Sequence, residues 1–246
     1  MSYGAFAEFY DRLTGNVNYA AYARRIDSLI KRYRPESKSI VELACGTMSL
    51  GLELAARSFD VLGLDISDDM LKCAEEKMLR CEYSAKVARQ DMREIVLPHP
   101  ADVFVCSLDG LNHLGGMDDV KKTFRAVGGN IKPGGLFIFD MNTPYKHREV
   151  LGFNTFVYEL PKLYCVWQNE YRERDCSVGI TLDIFADSGN GYSRHTEKFR
   201  ETAYPKESVI RALRECGFAV LGTFDELKSS APTPRTERIL YLARRV

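Results

Sequence analysis

No pattern for holding a metal stands out in this chain. It has seven cysteines and four histidines. No two cysteines form a C-x-x-C, and His99, His113, His147 and His195 are scattered without ligand spacing. The cysteine count is odd, and Cys45 and Cys106 sit among apolar residues, where a free thiol behaves as a small hydrophobe. These features argue against zinc and for a reducing compartment. Net charge is also missing. Thirty-four basic residues balance thirty-four acidic ones, so there is no basic stripe of the kind nucleic-acid binding requires. The densest basic spots are the pairs Arg24–Arg25 and Arg244–Arg245. No apolar run approaches the roughly 20 residues that span a bilayer. The N-terminus carries Glu8 and Asp11 and lacks the basic-then-apolar order of a signal peptide. There is no internal repeat and no low-complexity tract. The expectation is a cytoplasmic protein, monomer or dimer, with no membrane or nucleic-acid partner.

What is present is a chain of 246 residues, 45% apolar, which suits one large α/β domain with an insertion. Residues 5–33 read as helical, because Tyr19, Tyr22, Ile26, Leu29, Ile30 and Tyr33 recur at three- and four-residue steps and Pro35 stops the run. Strands and helices then alternate. Strands are predicted at Ile40–Ala44, Val61–Asp65, Ala85–Arg89, Ala101–Ser107 and Leu136–Met141. Helices are predicted at Leu50–Arg57, Asp68–Leu79 with Ser67 as N-cap, and Asp118–Asn130 before Lys132-Pro133-Gly134-Gly135. Near-continuous apolar strands between helices imply a parallel sheet covered on both faces. From about 153 to 203 the period becomes two, which predicts an antiparallel block of about three strands. A helix over Pro205–Cys216 and strands at Phe218–Phe224 and Arg238–Ala243 close the chain. The domain reading is an N-terminal arm at 1–35, a core at 36–150 and 204–246, and an inserted β subdomain at 151–203.

The chemistry sits at the strand ends. Ile40–Thr47 reads as a buried strand, a glycine turn and a helix start, the arrangement that binds adenosine-containing cofactors at the carboxyl edge of a parallel sheet. Gly46 allows backbone to approach a ligand closely. Glu42 lies inside an apolar strand, where an unpaired carboxylate is costly. An α-ammonium group would pair with it; a lysine of the protein is the plainer alternative. Asp65 ends the next strand, placed either for ribose hydroxyls or for helix capping. Gln90-Asp91-Met92 can serve an adenine, with a carboxylate for the exocyclic amine and Met92 against the base, or form an ordinary polar loop. Asp109, Asn112 and His113 follow the fourth strand and are candidates to position a substrate or take a proton.

These residues resemble the class I S-adenosylmethionine-dependent methyltransferases. The resemblance runs over Ile40–Asn142 and the closing helix–strand–strand. Its motifs match Glu42-Leu43-Ala44-Cys45-Gly46-Thr47, Asp65 with Ile66, Gln90-Asp91-Met92, Ser107-Leu108-Asp109 and Pro133-Gly134-Gly135. It implies a doubly wound, mostly parallel seven-stranded Rossmann-like sheet with an inserted antiparallel block. It also implies methyl transfer from S-adenosylmethionine, with Leu108 beside the cofactor and Tyr10 on an arm that closes over it. The substrate is expected over the strand ends, a small molecule in preference to a protein. Trp167, Tyr171, Arg194, His195 and Phe199 are possible lining residues, although Trp167 and Phe199 could simply pack the block. Two positions depart from the family pattern, which has glycine at Ala44 and Met48. Ala44 is tolerable if its φ stays negative; Met48 either points away from the cofactor or narrows its site. A nicotinamide-dependent dehydrogenase is disfavoured, since G-x-G-x-x-G is missing. A non-catalytic S-adenosylmethionine-binding or regulatory module stays open on account of Met48.

Overall fold

A computed structural model describes residues 4–246, with side chains from Phe6 onward. Residues 1–3 of the expected arm lie outside the described residues. The arm is two helices rather than one, α1 (Gly4–Leu13) and α2 (Tyr19–Tyr33). The break has a local cause: Asn18 accepts a hydrogen bond from the Ala21 N–H at 2.9 Å and so starts a new helix.

Strands β1 (Ser39–Leu43), β2 (Asp60–Asp65), β3 (Ala85–Arg89), β4 (Ala101–Cys106), β5 (Ile131–Asn142), β10 (Phe218–Asp225) and β11 (Arg238–Arg245) form one seven-stranded sheet. Its order is β10-β11-β5-β4-β1-β2-β3. Only β11 runs against its neighbours; β1 to β5 are parallel. β1 and β4 are buried along almost their whole length, as their continuous apolar runs require. Helices α3 (Ser49–Ala55), α4 (Asp68–Met78), α5 (Met117–Asn130) and α6 (Lys206–Glu215) connect the strands. Ser67 caps α4, its hydroxyl accepting from Met70 N–H at 3.3 Å. The chain passes from α5 into β5 with no linker, and the Pro133-Gly134-Gly135 turn becomes a bulge inside that strand's pairing with β4. The sheet crosses from β1 to β4 at its centre, and the carboxyl ends of these two strands open the crevice in which such folds bind ligands.

The inserted block has four strands where three were expected. They are β6 (Thr155–Leu160), β7 (Leu163–Arg172), β8 (Ser177–Asp187) and β9 (Tyr192–Thr202), in that order. The extra strand comes from the tight turn Pro161–Lys162, where Lys162 takes a left-handed φ of +60°. One face of this sheet buries Leu163, Cys165, Ile180, Leu182 and Ile184 against Phe6 and Phe9 of α1 and Met70 of α4. The arm and the block thus share an apolar cluster, and together they roof the strand ends. No helix among the described residues is long and apolar enough to cross a membrane.

Candidate functional site

A cavity of about 520 Å³ lies between the strand ends and this roof, a size that suits a cofactor with part of a substrate. Its floor is formed by Glu42, Ala44, Cys45 and Gly46 after β1, Asp65 and Ile66 after β2, and Gln90, Asp91 and Met92 after β3. Leu108, Asp109 and His113 come from the turn after β4, and Tyr10 reaches in from the arm. The structure therefore brings these thirteen sequence-selected residues to one place.

The turn after β1 is built from left-handed backbone at alternate residues: Ala44 (φ +49°), Gly46 (+51°) and Met48 (+66°). Ala44 does not keep the negative φ that would make it tolerable. Alanine and methionine there each carry roughly 1–2 kcal/mol of strain that glycine would avoid. Met48 points away from the cavity. It is fully buried, and its thioether lies over Gly51 and Gly63; a Cβ on either would come within 2.5 Å of it. Two glycines thus supply the room that the missing glycine would have given. The loop 44–47 is left unobstructed, since a Cβ at Gly46 would meet nothing within 4 Å.

Glu42 is 4% exposed, and its Oε2 makes no hydrogen bond among the described residues. The lysine partner of the plainer reading is not there: Lys77 instead pairs with Asp11 of α1 at 2.6 Å. Burial pushes the Glu42 carboxyl up to about 8, against the pull of the Gly51 N–H bond. An orphaned buried carboxyl facing a cavity fits an ammonium ligand. Asp65 is engaged but not saturated. Its Oδ2 accepts from Gly46 N–H at 2.8 Å and its Oδ1 from Ser67 N–H at 2.9 Å, and each oxygen keeps one lone-pair position. Ile66 is 43% exposed where it lines the cavity, an apolar surface available to a flat ring.

Two other residues have more structural work than expected. The Gln90 amide donates to Val96 C=O and accepts from Val96 N–H, both at 2.9 Å, so it braces its own loop. Asp91 is held by Arg93, with Nη2 to Oδ2 at 2.6 Å, which keeps its carboxyl below the usual range.

The turn after β4 rests on residues that sequence reasoning missed. Asp140 of β5 is fully buried, and its carboxylate accepts from Leu108 N–H at 2.9 Å and Asp109 N–H at 2.8 Å. That grip holds Leu108 (+56°) and Asp109 (+58°) in left-handed conformations. Arg238 of β11 completes the lock, reaching Asp109 at 2.6 Å and Asp140 at 3.2 Å. Burial would raise the Asp109 carboxyl, but Arg238, Lys146 and His113 outweigh it and hold it at about 2. Asp109 is thus a fixed anion and a poor proton acceptor at neutral pH. Asn112 is fully buried and does not line the cavity; it ties β5 to β9 through Asn142 and the Thr202 carbonyl. Trp167 and Phe199 line the cavity, whereas Tyr171, Arg194 and His195 do not. Arg194 pairs with Asp183, and His195 packs on Phe9. Glu201 on β9, Lys146 and Asn142 were not anticipated, and all three face the cavity.

The fold and this site define a class I S-adenosylmethionine-dependent methyltransferase, and the chain belongs to that family. A family model described as a methyltransferase domain matches residues 40–135. YqeM of Bacillus subtilis, whose name describes a methyltransferase, is 30% identical over 246 residues, covering 100% of this chain and 98% of that protein. A solved S-adenosylmethionine-dependent methyltransferase from Clostridium acetobutylicum is 31% identical, with a TM-score of 0.89 over 98% of this chain and 97% of that one. A Streptomyces fradiae protein named dTDP-3-amino-3,6-dideoxy-alpha-D-glucopyranose N,N-dimethyltransferase is 26% identical over 231 residues, 88% of this chain and 85% of that protein. The dehydrogenase alternative and the non-catalytic module are set aside by these relatives. Burial of Met48 removes the feature that had kept the second open.

Proposed function

We propose that the chain transfers a methyl group from S-adenosylmethionine to an amine nitrogen of a small molecule. Bound cofactor supplies an activated methyl on a cationic sulfur. Glu42 pairs with its ammonium group, and the loop 44–47 admits its amino-acid tail. Asp65 takes the ribose hydroxyls with its spare lone pairs. Ile66 and Met92 sandwich the adenine, while Asp91 orders the loop that carries Met92. Leu108, on its strained turn, packs beside the cofactor, and Tyr10 covers it from the arm. The acceptor then occupies the space walled by Trp167, Phe199, Asp109, His113 and Glu201. Alignment of nucleophile and methyl with exclusion of water is the main catalytic contribution, and such positioning supplies about 7–11 kcal/mol.

One observation carries the choice of an amine. Glu201 is 3% exposed and, among the described residues, forms no ion pair with a lysine or arginine, yet it faces the cavity beside His113. A buried carboxylate next to a proton acceptor suits a group that arrives as an ammonium ion and must lose a proton before attack. Relatives named as N,N-dimethyltransferases of amino-sugar nucleotides support this acceptor class. Seven free thiols and bacterial relatives support a cytoplasmic setting, where the chain would act as a monomer or dimer. The test offers labelled S-adenosylmethionine with amino-sugar nucleotides and their hydroxyl counterparts. Transfer to the amine alone is expected; transfer to the hydroxyl compound or to protein overturns the assignment.

A further inference from the structure

Among the described residues Glu201 is the one charged side chain buried on the four-stranded sheet. Its two oxygens face two different imidazoles, and the Asp109 side chain lies within hydrogen-bonding reach of the same carboxyl. Oε1 lies 3.9 Å from Nε2 of His113, which lines the cavity. Oε2 lies 3.5 Å from Nε2 of His147, which is fully buried, and also accepts from Asn142 Nδ2 at 3.0 Å. The other ring nitrogen of His147 sits 3.0 Å from the Cys176 carbonyl. A carbonyl only accepts, so that nitrogen carries the hydrogen and Nε2 is left with a lone pair. Among the described residues Nε2 has no hydrogen-bond partner, and it is aimed at a carboxylate oxygen. Two acceptors facing each other in a buried space repel unless a proton lies between them. A proton lying between Glu201 and His147 removes that repulsion.

We propose that Glu201 is the positioning residue of a buried relay, His113–Glu201–His147, that draws the proton from a cationic acceptor. The inference rests on the amine reading above and extends it. One proton leaves the acceptor nitrogen and arrives on the His113 ring. The ring's Nε2–H is then oriented and stabilised by the Glu201 carboxylate, and the shared proton moves toward His147 as the carboxylate turns to His113. The freed nitrogen lone pair can form the new N–C bond while the S–C bond breaks. Asp109 and Asp140 cannot take this part, because Arg238 commits both. Lys146 faces the same space from the turn after β5 and donates to Asn142 Oδ1 at 3.0 Å. A divalent cation on Asp109, His113 and Glu201, whose ligand atoms lie within 4.8 Å of one another, would share the Asp109 carboxylate with Arg238, which holds its Oδ1 at 2.6 Å.

Glu201→Gln separates the relay from a mere staple, since glutamine keeps the Asn142 bond and loses the charge and the shared proton. Full-length protein labelled with ¹⁵N-histidine is followed by NMR, with and without S-adenosylhomocysteine. In the wild type, His147 should show a protonated Nδ1 and an Nε2 displaced from the position of a free lone pair by the shared proton. Glu201→Gln should lose that displacement and move the His113 signals as well. His147→Gln, which acts from outside the cavity, should also move the His113 signals; it keeps the test open if the first variant fails to fold. Unmoved His113 signals in either folded variant overturn the relay. So do wild-type His113 signals that respond to magnesium, manganese or zinc, which would assign the cluster to a metal. Calorimetry with S-adenosylhomocysteine on the same sample reads the cofactor assignment separately, so its failure cannot be confused with failure of the relay.

Discussion

Met48 sits where its backbone favours glycine and its side chain favours company. Replacing it with glycine would relieve roughly 1–2 kcal/mol of left-handed strain but empty a buried space worth about 2–5 kcal/mol, so Met48→Gly should destabilise. Gly63→Ala should also destabilise, by about 1–3 kcal/mol, because its Cβ would meet the Met48 sulfur at 2.5 Å. The double variant removes the Met48 part of the clash and leaves the close approach to Cys45, whose Sγ would lie at 2.7 Å. Urea unfolding should therefore show the pair costing at least ~1 kcal/mol less than the sum of the singles; additivity would mean the two residues do not share the space. Glu42 gives a second residue-scale prediction. Its folded carboxyl is raised to about 8 from an unfolded value of 4.5. Ligand-free stability is thus full below the unfolded value and falls as pH rises through this window, by up to about 1.4 kcal/mol per unit, then levels off above it. Glu42→Gln should flatten this slope and weaken S-adenosylhomocysteine binding. A slope that survives the substitution belongs to other groups.

The β4 turn shows what makes an element rigid. Leu108 and Asp109 adopt left-handed backbone because the Asp140 carboxylate takes both N–H groups and Arg238 bridges the two acids. Arg238→Met leaves the buried Asp140 without its ionic partner and takes from Asp109 its nearest one, and should cost about 3–5 kcal/mol. Amide exchange should rise first in residues 107–113, and exchange confined to β11 would contradict the lock. This element also marks how far the sequence could be read. Glu42 stood out as an acid inside an apolar strand, and Asp140 carries the same signal within Leu136–Met141. It was passed over because nothing local names its partner: Arg238 lies 98 residues further on and reaches it only through strand pairing. Glu201 was hidden by the polar alternation of β9, where one buried acid looks like any other. Strand ends and glycine turns are set by nearby residues and could be read directly. The division of the arm into two helices needed the Asn18 cap to be weighed against a continuous apolar stripe. The fourth inserted strand needed the Pro161–Lys162 turn to be recognised.

The cavity belongs to no single layer. Its floor is the parallel sheet and its roof is shared by α1 and the antiparallel block, which meet each other through Phe6, Phe9 and the inner face of β7 and β8. Asp11 ties the arm to the turn after β1 directly. Asp11 accepts from Thr47 at 2.6 Å and pairs with Lys77 at 2.6 Å. A ligand that fills the space therefore touches three parts of the molecule at once, and its binding energy is added to contacts between parts that are otherwise joined mainly by one apolar cluster. At 100 times its dissociation constant S-adenosylhomocysteine should stabilise the fold by about 2.7 kcal/mol, or roughly 5–10 °C in Tm. The distribution of that gain is the sharper test. Amide protection should rise together in α1, in residues 44–48 and on the inner strands of the inserted sheet, because each closes on the same ligand. Asp11→Ala should reduce the protection of α1 and lower affinity modestly, by up to ~1 kcal/mol given that the ion pair is half-exposed, and added salt should shrink the difference between the two proteins. Protection confined to residues 44–48, with α1 unchanged, would mean that the arm lies over the cavity without closing it.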